Sequence, residues 1–252
     1  MQTNSIHDLQ PQLTANRSYW SGWAGSSPDT DLPMYRTEIQ QPLLNGVLRI
    51  RNRGLDEAIA EARQQLAGTR WSWWVGADSD EGTAEGLLAR GAELTVDMPV
   101  MAVDVATVTS TVPTPSGLKI RVVTDRAEMY DYVRAYAEPL GFTDGDLDTV
   151  VDREMRHADS SVVRLAGVVD GRTVGTCTLA LATDRGALYC IATDRNYRRR
   201  AIATALTMEA LRITRESGRR IATLQASSEG EPVYRRIGFE TVGRYRLFRL
   251  PE

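Results

Sequence analysis

Apolar positions in this chain switch repeatedly between alternating and helical spacing. Short runs at 34–40 and 43–50 predict strands or an extended entry, and the runs at 70–75, 99–105 and 118–123 predict strands. Leu55, Ile59, Ala62 and Leu66 lie at helical spacing, and 83–88 forms a second helical stretch that ends at Gly91. Helices are expected next at 126–136 and 146–155. Strands at 161–169 and 172–181 flank Asp170-Gly171, a dipeptide suited to a two-residue hairpin turn. A strand at 187–193 then leads into a helix over 199–217 that Gly218 closes. A strand at 221–226, a short helix at 232–237 and a strand at 242–250 complete the order. Helix and strand alternate throughout, which predicts an α/β fold with a mixed sheet flanked by helices.

The segment Thr111 to Gly117 interrupts the pattern with two prolines, a glycine and hydroxyl residues. It divides the chain into an N-terminal extension (1–31), a first half (32–112), a linker (113–117) and a second half (118–252). The halves end alike. Leu87-Leu88-Ala89-Arg90-Gly91-Ala92-Glu93 aligns with Tyr234-Arg235-Arg236-Ile237-Gly238-Phe239-Glu240, and a strand follows each. This similarity predicts two copies of one fold, the first degenerate.

Charge sharpens the picture. Residues 1–112 hold 8 Arg and 14 acidic residues, a net −6; residues 113–252 hold 22 basic and 19 acidic residues, a net +3. Asp194–Arg200 alone carries four Arg and one Asp, again +3. Basic charge confined to seven residues argues against a nucleic-acid-binding face and for a site that takes one small anion. No apolar run approaches a membrane span, and the N-terminus lacks the layout of a signal peptide, so a cytoplasmic protein is expected. Two cysteines, Cys177 and Cys190, read as free thiols, and two histidines cannot build a His-rich metal site; no metal is expected.

The basic segment joins a strand to a helix. Such a junction collects unpaired backbone N–H groups and the positive end of the helix dipole at one point, which suits phosphate or pyrophosphate. Neither GxxxxGK[ST] nor GxGxxG is present. Arg198-Arg199-Arg200-Ala201-Ile202-Ala203 instead resembles the acyl-CoA pyrophosphate loop of the GNAT N-acetyltransferase superfamily, [QR]-x-x-G-x-[GA]. Downstream, Leu224 to Phe239 resembles that superfamily's fifth strand and its Tyr-x-x-x-Gly-Phe ending. The resemblance is good from about residue 118 onward and faint over 32–112. One departure is Ala201, where the family's first motif glycine stands.

The resemblance implies a tandem acyltransferase that moves an acetyl or other short acyl group from acetyl-CoA or another acyl-CoA to an amine of a small molecule. Ile191, Ala192 and Thr193 would pair with the pantetheine arm as an added strand does, and one of their N–H groups would polarise the thioester. Arg198, Arg199, Arg200, Ala201, Ile202, Ala203 and Thr204 would hold the pyrophosphate. Tyr234 would be the general acid that protonates the departing thiolate. Glu154, His157 and Glu229 are candidates for the acceptor side or for the base, and Asn45 and Trp73 for closing the acceptor pocket. An acyl carrier protein presenting phosphopantetheine is the alternative donor, since it needs less of the pyrophosphate loop. A non-catalytic acyl-CoA sensor or partner-binding module is the alternative outside catalysis.

Overall fold

A computed structural model describes residues 5–37, 39–109, 115–156 and 161–251. The chain forms two compact units. One comprises Asp8–Val100 with Thr241–Glu252, and the other Met101–Glu240 with the segment ending at His7.

The first unit opens with α1 (Leu9–Ala24), followed by β1 (Met34–Tyr35), β2 (Gly46–Val47), α2 (Leu55–Gln65), β3 (Ser72–Val75), α3 (Thr83–Ala89) and the start of β4 (Glu93–Asp104). Its strand order is β1-β2-β3-β10-β4, where β10 (Glu240–Arg249) arrives from the far end of the chain. β2 and β3 run parallel through Gly46↔Ser72 and Val47↔Trp73, and β10 pairs antiparallel with β3. Alternation along β3 places the two tryptophans on opposite faces, as the pleat requires. Trp73 packs with Val47, Ile50, Ile59 and Phe248, whereas Trp74 packs with Leu13, Tyr35, Tyr245 and Leu247.

The second unit runs from the end of β4 through β5 (Lys119–Val122), α4 (Arg126–Leu140), α5 (Leu147–Arg156), β6 (Val162–Val169), β7 (Arg172–Ala180), β8 (Arg185–Thr193), α6 (Ile202–Glu216), β9 (Ile221–Gln225) and α7 (Glu231–Ile237). Its strand order is β4-β9-β8-β7-β6-β5. The β6–β7 hairpin turns at Asp170 and Gly171 with φ of 49° and 80°, so both turn residues are left-handed as a primed turn requires. α4 lies on one face of the sheet, where Tyr132 bonds Thr178 at 2.7 Å. α6 covers the other face and buries Ile202, Leu206 and Ala210 against Val174, Cys177 and Leu188. Two glycines let α6 sit this close. A Cβ on Gly175 would stand 2.6 Å from Ile202 Cγ2, and one on Gly186 would stand 2.3 Å from Thr214 Oγ1.

Three differences from the sequence pattern stand out. α1 lies in what was expected to be an extension. Residues 241–252 complete the first unit and residues 101–109 the second, because β10 adds to β3 and β4 is one continuous strand; neither unit follows the 32–112 and 118–252 division. Residues 113 and 114 of the expected linker lie outside the described residues. Finally, α6 begins at Ile202 rather than Arg199, after a separate 3-10 turn over Arg195–Tyr197.

Candidate active site

The site begins where two parallel strands part. β8 and β9 pair from Arg185↔Ile221 to Leu188↔Leu224, and β9 ends one residue later at Gln225. β8 continues to Thr193, paired on its other side with β7 through Gly175↔Thr193 and Thr176↔Ala192. Between Thr176 and Thr178 the register shifts, leaving Cys190 and Ile191 opposite the single residue Cys177. This is a β-bulge, which bends a strand out of its ladder, and Cys190 accommodates it with φ of 49°. From the bulge onward, Ile191, Ala192 and Thr193 have no partner on the β9 side among the described residues. Two buried side-chain atoms in this region are also unpartnered, Oγ1 of Thr193 on β8 and Nε2 of Gln225 on β9. An unsatisfied buried polar group costs about 1–3 kcal/mol. An extended chain bearing amides, laid between the two strand ends, could supply the missing partners.

β8 runs directly into the basic loop. Asp194 fixes the loop's start: its side chain accepts from Asn196 N at 2.9 Å and from Arg172 Nη2 at 2.7 Å. Arg199 and Ala201 both take left-handed backbone, with φ of 62° and 57°. Left-handed backbone costs a side-chain-bearing residue about 1–2 kcal/mol. Ala201 keeps the conformation that glycine takes readily, so the loop retains its path without the motif glycine. Ala201 is also the N-cap of α6; no side chain caps this end and the first turn holds no acidic residue. The N–H groups of Ile202, Ala203 and Thr204 thus open the helix without intrahelical partners. Arg198 faces Glu229 at 3.7 Å, Arg195 faces Glu138 at 3.9 Å, and Arg200 lies 5.0 Å above the Tyr197 ring. Both ion pairs are exposed and worth at most about 1 kcal/mol, so an incoming phosphate can displace them. Arg199 has no acidic partner among the described residues.

Tyr234 sits on α7, buried in the core cluster that also holds Leu188, Leu224 and Cys177, with its ring edge-on to Phe239 at 5.9 Å. Gly230 makes room for it, since a Cβ there would lie 2.9 Å from the ring. Its hydroxyl makes no hydrogen bond to the described residues. Burial pushes the phenol well above its ordinary pKa, so at neutral pH it holds its proton.

The residues expected on the acceptor side are not gathered in this way. Glu154 is fully buried; Oε1 accepts from Tyr136 at 2.7 Å and Oε2 from Arg164 Nε at 2.6 Å. Both oxygens of this carboxylate are engaged, so it ties α4, α5 and β6 together and is not available to an acceptor. Asn45 is buried as well. Its Oδ1 accepts from Thr37 N at 2.7 Å, and its Nδ2 donates to Ile39 O at 2.7 Å and Arg70 O at 3.0 Å. Trp73 is core. These two residues hold the first unit together. Glu229 is exposed and pairs with Arg198, and His157 lies outside the described residues.

Two features escaped the sequence reading. Gln225 is the one polar residue closing an apolar run, a signal that gains meaning only beside the parting of the strands. Arg51-Asn52-Arg53-Gly54-Leu55 before α2 resembles Arg198–Ile202 before α6 in sequence and in the left-handed second residue, although Gly54 is extended where Ala201 is left-handed.

Residues 146–249 match the family model described as an acetyltransferase (GNAT) domain. Among solved structures, the chain is similar to a GCN5-related N-acetyltransferase from Kribbella flavida, with 16% identity over 96% of each chain and a TM-score of 0.70. A GCN5-related N-acetyltransferase from Sphaerobacter thermophilus shares 22% identity over 77% of this chain and 64% of its own, with a TM-score of 0.58. A tandem GNAT protein from the clavulanic acid biosynthesis pathway shares 15% identity over 81% of this chain and 74% of its own, with a TM-score of 0.59. These likenesses are of fold. No curated protein matches the chain. No helix among the described residues is long and apolar enough to cross a membrane.

Proposed function

We propose, from the premise that residues 146–249 carry a GNAT acetyltransferase domain, that the protein is an N-acyltransferase using acyl-CoA, most simply acetyl-CoA, to acylate the amine of a small molecule. The observation that carries this reading is the parting of β8 and β9 after Leu188↔Leu224, with Thr193 and Gln225 unpartnered beside it. Ile191, Ala192 and Thr193 receive the pantetheine arm as an added strand. Gln225 Nε2 donates to one of its amide carbonyls. The open start of α6 and the arginines take the pyrophosphate.

In the reaction the amine nitrogen attacks the thioester carbon, and a backbone N–H of β8 bonds the oxyanion that forms. The C–S bond then breaks, and the sulfur takes its proton from the Tyr234 hydroxyl. The attacking amine gives up a proton, through water, that restores the phenol. The products are an amide and free thiol. Free CoA is favoured over a carrier protein as donor because Ala201 holds the left-handed loop conformation despite its side chain.

The test is a thiol-release assay over an amine panel, paired with calorimetry of acetyl-CoA binding. Tyr234→Phe keeps the packed ring and removes the proton, so kcat is expected to fall about 100-fold or more with binding unchanged. Equal rates for the two proteins would overturn the acid assignment. Tight binding with no turnover on any amine would point to a sensor.

A further inference from the structure

The bulge on β8 is held by a side chain from the neighbouring strand. Thr176 on β7 is fully buried, and its hydroxyl donates to the carbonyl of Cys190 at 2.7 Å. Cys190 is one of the two residues that face Cys177, and it keeps left-handed backbone at φ 49° without being glycine. A side-chain-bearing residue stays in that region only where its surroundings determine it, and such residues gather where backbone must be aimed. The bond from Thr176 is one such determinant, because it fixes where the Cys190 carbonyl points.

The Cys190 carbonyl and the Ile191 N–H belong to one planar trans peptide, so they point opposite ways. With the carbonyl held toward β7, the N–H is turned to the other side of β8. The ladder places it there as well. Asp194 N donates to Val174 O on β7 at 2.9 Å. Bonding groups alternate sides along a strand, so those of Ala192 also face β7. Those of Ile191 and Thr193 face the side that β9 leaves unpaired. Thr193 adjoins the basic loop, so an arm whose pyrophosphate lies at the start of α6 brings its thioester to Ile191.

We infer that Thr176 is a positioning residue for acyl transfer: its grip on the Cys190 carbonyl aims the Ile191 N–H at the thioester oxygen. This rests on the acyl-transfer reading proposed above. Thr176 acts through the peptide, not on the substrate. As the amine attacks, negative charge collects on the carbonyl oxygen, and an N–H already aimed there needs no reorganisation. Without the hydroxyl, the bulge peptide can turn toward a less strained conformation, which leaves the donor present but misdirected.

The test compares Thr176→Val, which keeps the shape and removes the hydroxyl, with Thr176→Ser, which keeps the hydroxyl. In the thiol-release assay Thr176→Val is expected to lower kcat about tenfold or more, while the acetyl-CoA Kd from calorimetry moves by less than about two-fold. Thr176→Ser should recover most of that loss. Difference infrared spectra of acetyl-CoA labelled at the thioester carbon give a second reading without any amine. The carbonyl stretch should fall on binding to the native chain and fall less with Thr176→Val. Should Thr176→Val fail to fold, Thr176→Ala takes its place with the same readings. Parallel losses in Kd and kcat, or Thr176→Ser as slow as Thr176→Val, would mean a merely structural hydroxyl and overturn the inference. Native turnover matched by Thr176→Val overturns this inference alone. A native chain that neither binds acetyl-CoA nor releases thiol overturns the acyl-transfer reading together with it.

Discussion

Two helices in this protein follow similar arginine-bearing loops and face opposite chemistry. Arg51-Asn52-Arg53-Gly54-Leu55-Asp56-Glu57 leads into α2, and Arg198-Arg199-Arg200-Ala201-Ile202-Ala203-Thr204 into α6. The second residue of each is left-handed, Asn52 at φ 54° and Arg199 at φ 62°. The first loop keeps the motif glycine, Gly54, but in extended backbone (φ −65°, ψ 132°), whereas Ala201 at the matching place in the second is left-handed (φ 57°, ψ 19°). Yet the first turn of α2 contains Asp56 and Glu57, whereas that of α6 contains no acid. The arginines are committed accordingly. Arg53 pairs with Glu57 at 3.0 Å and Glu61 at 2.7 Å, while Arg199 pairs with no acid among the described residues. The lesson is one of sign. A carboxylate in the first turn occupies the electrostatic role a phosphate would take at a helix start, and it repels the phosphate as well. The second difference is backbone: the residue before α6 is left-handed and the one before α2 is extended.

Making α6 resemble α2 should have the largest effect. Ala203→Asp with Thr204→Glu is expected to raise the acetyl-CoA Kd by about tenfold or more, and the loss should shrink as salt is added. Calorimetry at two ionic strengths reads both; an unchanged Kd would mean that sign does not distinguish the two helix starts. Ala201→Gly should act more mildly, relieving the left-handed alanine. Stability is expected to rise by about 1 kcal/mol in denaturant unfolding, with acetyl-CoA bound no more weakly. The smallest effect should come from the opposite exchange. Asp56→Ala with Glu57→Thr gives up exposed ion pairs to Arg90 and Arg53, so the melting midpoint should hardly move. A second acetyl-CoA site appearing in calorimetry would show that charge sign outweighs the extended backbone at Gly54, and its absence that the left-handed cap is needed as well.

The donor side of the candidate site was legible because its signals are local. A strand–loop–helix junction, a run of arginines and Tyr-x-x-x-Gly-Phe depend on neighbours in sequence, and the hairpin at Asp170-Gly171 likewise. What escaped depends on distant partners. α1 shows no apolar stripe because the face it buries carries Gln12, Asn16 and Arg17, which are tolerated there through partners such as Asp78, 61 residues away from Arg17. Glu154 reads as a solvent-facing candidate for the acceptor side or the base until Arg164 and Tyr136 close around it. The strand 240–249 gives no sign that it pairs with β3, far earlier in the chain.

The bulge on β8 leaves the protein with an internal chemical reporter. Cys177 is fully buried, and burial raises its thiol far above the reactive range; Cys190, lifted by the bulge, is partly open. An alkylating reagent should therefore label the native chain once, at a position that neighbours the stretch proposed to receive the acyl donor. Protection of that single thiol by acetyl-CoA, read by intact mass, would time donor binding without any knowledge of the acceptor.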